Sequence, residues 1–152
     1  LFSFYFFFCF YQTAFSQPSY KDSLDIYLAK KNKGQKGYID NDKEGRRHYI
    51  LHKPSGKIIS TSINPIPSSQ LFLYHFKEGE IVIMELFISA TKQEDSIVKK
   101  IYGRFYYRDG ELVDKELINF QEVNIASYYQ TGIELYKRGV RFLKKKGKVL
   151  RD

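Results

Sequence analysis

Cysteine and tryptophan are nearly missing from this chain: it holds one Cys, Cys9, and no Trp in 152 residues. Cys9 lies in a leading segment read below as removed, which leaves the rest without cysteine and excludes disulfides and cysteine-ligated zinc. Also missing are a GxSxG elbow, a Walker or GxGxxG loop and an HExxH pair, so no familiar nucleophile, phosphate cradle or zinc-hydrolase pattern can be named. No Ser/His/Asp or Cys/His set is recognisable either, and no residue is assigned as catalytic, cofactor-binding or metal-binding. Apolar runs stay short of the ~20 residues that cross a bilayer. Neither a long-period repeat nor a low-complexity stretch is visible.

What is present suits one globular domain: 43% hydrophobic and 28% charged residues, with 13 Tyr and 13 Phe. The formal net charge is +8, and all of it follows Ser16. Such a balance first serves solubility, and it makes phosphate, acidic polymer or anionic lipid favourable neighbours.

The first eleven residues, Leu1 to Tyr11, form a dense aromatic run, followed by Gln12-Thr13 and Ala14-Phe15-Ser16. Small side chains at Ala14 and Ser16 fit the −3 and −1 pockets of signal peptidase. Residues 1 to 16 are therefore expected to be a signal peptide and 17 to 152 a single α+β domain, exported to the periplasm or the exterior. A basic n-region is missing and the run opens on Leu1, which reads as a truncated start. No transmembrane helix is expected after cleavage.

Beyond the leader, Ser19 with Asp22 three positions later predicts a capped helix, with Tyr20, Leu24, Tyr27 and Leu28 as its apolar stripe. Residues 34 to 45 are polar and read as a loop. Three hairpins follow: Arg46 to His52 with Lys57 to Ile63, Leu71 to Lys77 with Glu80 to Ala90, and Ile97 to Arg108 with Glu111 to Ile118. Asp109-Gly110 is a strong hairpin turn because both residues adopt positive φ. Asn64-Pro65-Ile66-Pro67 cannot continue a central strand. A helix from about Ile125 to Lys146 places Ile125, Tyr129, Ile133, Tyr136, Val140 and Leu143 on one face. Gly132 and Gly139 lie near that face at ~1 kcal/mol each in helix propensity, which suggests close approach to a sheet or helix.

The expectation is an α+β antiparallel meander of about six strands, with a short N-terminal and a longer C-terminal helix. Simple alternation places Val82, Met84, Leu86 and Ile88 with Leu71 and Leu73 on one face of the middle hairpin. It places Ile81, Ile83 and Phe87 with Phe72, Tyr74 and Phe76 on the other. A hairpin apolar on both sides implies a strongly curled sheet or a helix on each face. A curled sheet around the C-terminal helix could leave a pocket.

Tyr102, Arg104, Tyr106 and Arg108 alternate along one strand face and, with Arg46 and His48, form the best ligand-binding candidate. Such a face stacks rings and pairs with phosphate or carboxylate. A two-residue turn sets Arg108 opposite Glu111, but it also sets Arg104 opposite Lys115. Like charges there are unfavourable, so a bulge or a bound anion is expected between them. His48 and His52 have the spacing of a helical metal pair, yet on a strand they stand about 13 Å apart. Asp40, Asp42 and Glu44, followed by Gly45, match the first half of a calcium loop, whose twelfth position is Leu51 instead of Glu. Lys137, Arg138, Arg141, Lys144, Lys145, Lys146, Lys148 and Arg151 make the C-terminus basic, as a solvated helix end or as a contact for anionic lipid or polymer.

The cut after Ala14-Phe15-Ser16, before Gln17, resembles signal ends of exported Bacteroidota proteins. Gly103 to Val113 (Gly-Arg-Phe-Tyr-Tyr-Arg-Asp-Gly-Glu-Leu-Val) is similar to a hairpin of small exported proteins of that type, a group without a known activity. The resemblance implies a class and no mechanism. The chain alone favours a non-catalytic exported domain of the cell envelope that binds a protein or an anionic ligand. The alternative is a small exported hydrolase with a pocket between curled sheet and C-terminal helix, using a titratable group such as His48, His75 or Glu85. Nucleic acid fits the charge but not export.

Overall fold

The structure, a computed structural model, describes residues 19–66, 68–91, 98–120, 124–148 and 150. The leader assigned to residues 1 to 16, together with Pro67, Ile97 and Arg151, lies outside the described residues. The elements are α1 (Tyr20–Lys31), β1 (Gln35–Asp42), β2 (Gly45–His52), β3 (Lys57–Pro65), β4 (Gln70–Lys77), β5 (Glu80–Thr91), β6 (Val98–Arg108), β7 (Glu111–Ile118) and α2 (Ile125–Lys145). Each strand pairs antiparallel with its sequence neighbours, giving one sheet in the order β1-β2-β3-β4-β5-β6-β7. The α+β meander is as expected, with two corrections: it has seven strands, and the sheet is open instead of strongly curled. Curling is unnecessary because α1 covers part of one face and α2 the other.

β1 occupies the segment expected to be a loop. Its sequence, Gln35 to Asp42, is polar because it is an edge strand whose burial merely alternates between exposed and half-buried. Asp40 and Asp42 point inward to arginines, so the usual apolar alternation is missing.

The expected cap of α1 is present: the Asp22 backbone N–H donates to Ser19 Oγ at 3.2 Å, and the Ser19 N–H donates to the Asp22 carboxylate at 3.1 Å. Leu24, only 2% exposed, docks the helix on Val82, Ile83 and Tyr106. The Tyr20 hydroxyl donates to the Tyr107 carbonyl, and the Tyr27 hydroxyl to that of Phe76 at 3.5 Å.

The three hairpins of β2–β7 share one local plan, although their matching residues recur at unequal intervals of 23 and 31 residues. Lys57-Ile58-Ile59, Glu80-Ile81-Val82 and Glu111-Leu112-Val113 each follow a turn glycine and open the second strand of a hairpin. In all three, the third residue is extra: pairing skips Ile59, Val82 and Val113. Such a bulge reverses the faces beyond it. In the middle hairpin, Phe72 therefore pairs with Leu86 and Tyr74 with Met84. These four join Phe76 and Ile81 in the core beneath α2, whereas Val82 and Ile83 face α1. The face assignment from simple alternation is thus wrong for this hairpin, because it has no Val82 bulge. At the turns, Glu78 and Gly79 have φ of 52° and 87°, and Asp109 and Gly110 have 52° and 80°, the mirror-image geometry expected of Asp-Gly.

The expected close approach of the α2 glycines is realised. A Cβ at Gly132 would lie 2.4 Å from the Tyr74 ring, and one at Gly139 2.6 Å from the Tyr49 ring. Tyr74 and Tyr49 hold equivalent places in successive hairpins. The hairpin tips repeat this match: the Phe76 ring lies 4.8 Å from Tyr136, and Tyr107 lies 4.5 Å from Tyr129. Seven helical residues advance ~10.5 Å, and two strands span ~10 Å. The seven-residue spacing of α2 is therefore in step with the hairpin repeat.

Candidate functional site

Two regions carry clustered polar chemistry. The first is the α1 side of β4–β7, where Glu85 is the centre. Glu85 Oε1 accepts from the Tyr102 hydroxyl at 3.0 Å and lies 3.3 Å from Arg104 Nε; its Oε2 lies 3.3 Å from His75 Nε2. Burial pushes the Glu85 pKa up, but His75, Tyr102 and Arg104 outweigh it and hold the carboxyl below its ordinary value. Burial and the neighbouring Glu85 charge push the Tyr102 hydroxyl upward. Arg104 also reaches Asp25 of α1 at 2.9 Å.

The Val113 bulge resolves the conflict expected at Arg104, which pairs with Glu116 instead of Lys115; Arg108 pairs with Glu111 as expected. The Tyr106 hydroxyl donates to Glu116 Oε1 at 3.2 Å, and Lys21 of α1 contacts Glu116 at 2.8 Å and Asp114 at 3.0 Å. The Arg108 guanidinium lies 4.1 Å from the centre of the Tyr20 ring. Tyr102, Arg104, Tyr106 and Arg108 are thus together on one face, as read from the sequence, but their polar groups mostly hold α1 and one another.

Arg46 and His48 do not join them. They lie on the same face of β2, four strands away in the sheet order, or roughly 19 Å at the usual strand spacing. Burial and nearby Arg46 push the His48 pKa down. His52 Nδ1 lies 2.8 Å from the Ser55 hydroxyl. The acidic loop is also internally used: Arg138 of α2 binds Asp40 at 3.0 Å and Asp42 at 2.6 Å, while Arg47 binds Asp42 at 2.8 Å and Glu44 at 2.9 Å. Arg47, the Glu44 N–H and Arg138 hold the Asp42 carboxyl far below the usual carboxylate range. Among the described residues, no three His, Cys, Asp or Glu side chains cluster as a metal site.

The second region lies between α2 and the hairpin tips. One cavity of about 460 Å³ is bounded by Gly56, Lys57, Ile58 and Glu78 on the sheet side, and by Tyr136, Lys137, Val140, Arg141 and Lys144 on α2. A second, of about 470 Å³, lies over Phe76, Gly79, Ile81 and Gly110 against Tyr129, Ile133 and Tyr136. Both are lined by Tyr136 and Lys137, so they adjoin along the helix, with the Tyr136 ring, 4.8 Å from that of Phe76, between them. Volumes of this order suit small ligands. Sequence reading expected a pocket beside the C-terminal helix but not its lining, because turn residues and a helix flank 19 to 88 positions apart build it. The tip glycines were the available signal: a Cβ at Gly79 would lie 3.5 Å from the Tyr136 hydroxyl, and one at Gly110 3.7 Å from that of Tyr129. The expected pocket beside the C-terminal helix is therefore at the sheet's turn end. The titratable pair His75–Glu85 is on the opposite face.

No protein-family model matches the chain, and no curated protein or solved structure does so either. No helix among the described residues is long and apolar enough to cross a membrane.

Proposed function

We propose that this chain is an exported, non-catalytic binding domain of a bacterial cell envelope, and that its ligand lies in the groove along α2. The observation that carries this reading is the pair of adjoining cavities between the hairpin tips and α2, which share Tyr136 and Lys137 as lining. A trough with an aromatic wall and a few polar groups at its rim is the usual form of a small-molecule site. The charged cluster around Glu85 is a weaker candidate, because its cations already contact Asp25, Glu85 and Glu116. Export and kinship with small Bacteroidota proteins rest on Ala14-Phe15-Ser16 and the hairpin from Gly103 to Val113.

The neutral dye N-phenylnaphthylamine tests the groove. It should bind the folded domain saturably, and Ile133→Glu should abolish binding while leaving circular dichroism unchanged. Equal binding by folded Ile133→Glu protein would refute the assignment. N-terminal sequencing tests export: mature protein should begin at Gln17.

A hydrolase remains the second reading, favoured by one observation. His75 meets Glu85 at 3.3 Å and also lines a cavity of about 240 Å³ with Ser60, Leu28 and Leu73. A carboxylate that orients a histidine beside a cavity is an arrangement used for general bases. Ester hydrolysis abolished by His75→Ala would favour it, and its persistence would dismiss it.

A further inference from the structure

The groove is chemically asymmetric, and this asymmetry specifies a ligand class. At one end lie Lys57, Arg141 and Lys144 around Ile58 and Val140. At the other, Tyr129, Ile133, Phe76 and Ile81 form an apolar trough whose charged lining is Glu80, Asp109 and Lys137. The cations are not equivalent. Lys57 is held by Glu78, and Lys137 is held by Glu134 at 3.1 Å. Arg141 and Lys144 have no acidic partner among the described residues, although they stand one helical turn apart on the flank that lines the cavity.

We infer that the groove binds an anionic amphiphile, with its carboxylate or phosphate at Arg141 and Lys144 and its apolar body running past Tyr136 toward Tyr129. This rests on the groove being the binding site and adds the class and orientation of its ligand. Three observations support it. Two unpaired cations favour an anion through charge-assisted hydrogen bonds. Glu80 and Asp109 repel an anion from the opposite end, so one orientation is preferred. The two adjoining cavities together follow α2 from Tyr129 to Val140, eleven residues or ~17 Å, so an elongated apolar body that passes Tyr136 fills both, and a compact ion does not.

Competition against N-phenylnaphthylamine tests this, with dodecanoate, dodecanol and acetate as probes for wild type and for the Arg141→Glu/Lys144→Glu double variant. Dodecanoate should displace the dye about tenfold more tightly than dodecanol, a difference of ~1.4 kcal/mol, and acetate should not compete. The double variant should lose the preference for dodecanoate but keep dodecanol binding and its melting temperature. Equal displacement by dodecanoate and dodecanol, or an unchanged preference in the double variant, overturns the anionic ligand and leaves the groove assignment standing. Failure of the dye itself to bind overturns both. Dodecyl phosphate and phosphatidylglycerol vesicles distinguish free amphiphile from lipid headgroup. Retention on vesicles without binding of either free dodecyl anion would locate the contact at a membrane surface and overturn the inference.

Discussion

The two faces of the sheet use the same ingredients, tyrosines and cations, in opposite ways. Under α2 the tyrosines are core: Tyr49 and Tyr74 are fully buried and lie against glycines that let the helix approach. Under α1 the tyrosines are partners of charge: Tyr102 donates to Glu85 and Tyr106 to Glu116. One face is held by fit, so added volume harms it. The other is held by a paired network, so removing a partner or a proton harms it.

The largest expected effect is on the fitted face. Gly132→Val drives new methyl groups into Tyr74 and Ile81 and should cost about 3 kcal/mol, read from the midpoint of urea unfolding. The same change at exposed Gly37 of the edge strand β1, where a Cβ would meet only Ile50 at 3.7 Å, should cost far less. On the α1 face, Leu24→Ala removes the one fully buried anchor of that helix and should cost about 2 kcal/mol or more. Glu85→Gln should follow at about 1–2 kcal/mol, because His75 and Arg104 lose a charged acceptor.

Acid should weaken both faces, through Glu85 under α1 and through Asp42, which Arg138 of α2 holds. Glu85 and Asp42 both titrate lower in the folded protein than in the unfolded chain. Their contribution is complete above the unfolded value near 4 and is lost as pH falls through their depressed folded values. Urea midpoints measured from pH 6 to pH 3 should therefore fall in wild type and fall less steeply in Glu85→Gln. Equal slopes would mean that Glu85 is no more stabilised in the folded state than free. The smallest effect is expected for Arg108→Ala, which loses a cation–π contact with Tyr20 worth about 0.5 kcal/mol.

Legibility in the sequence followed the range of the interactions. Caps and turns were readable because Ser19, Asp22, Asp109 and Gly110 act over a few residues. The Val113 bulge was also readable, since Arg104 opposite Lys115 was a conflict to be removed. The Val82 bulge created no such conflict, because isoleucine and valine suit either face, and the parity of the middle hairpin was therefore reversed. β1 was hidden because its inward residues, Asp40 and Asp42, are satisfied by Arg138 from the far end of the chain. Grouping Arg46 and His48 with β6 failed for a related reason: alternation gives the face of a residue but not the number of strands between two residues. The shared plan of the hairpins was obscured by unequal turns, four residues at Lys53–Gly56 against two at Glu78–Gly79 and Asp109–Gly110.

The central claim is that ligand chemistry belongs to the α2 face, while the charged α1 face is occupied by its own partners. Amide chemical shifts of the isotope-labelled domain titrated with dodecanoate test it most directly. The account predicts saturating shifts at Gly79, Gly110, Tyr136, Arg141 and Lys144, with little change at Glu85, Tyr102 and Arg104. Shifts centred on Tyr102 and Arg104, with Tyr136 and Arg141 unmoved, would contradict it.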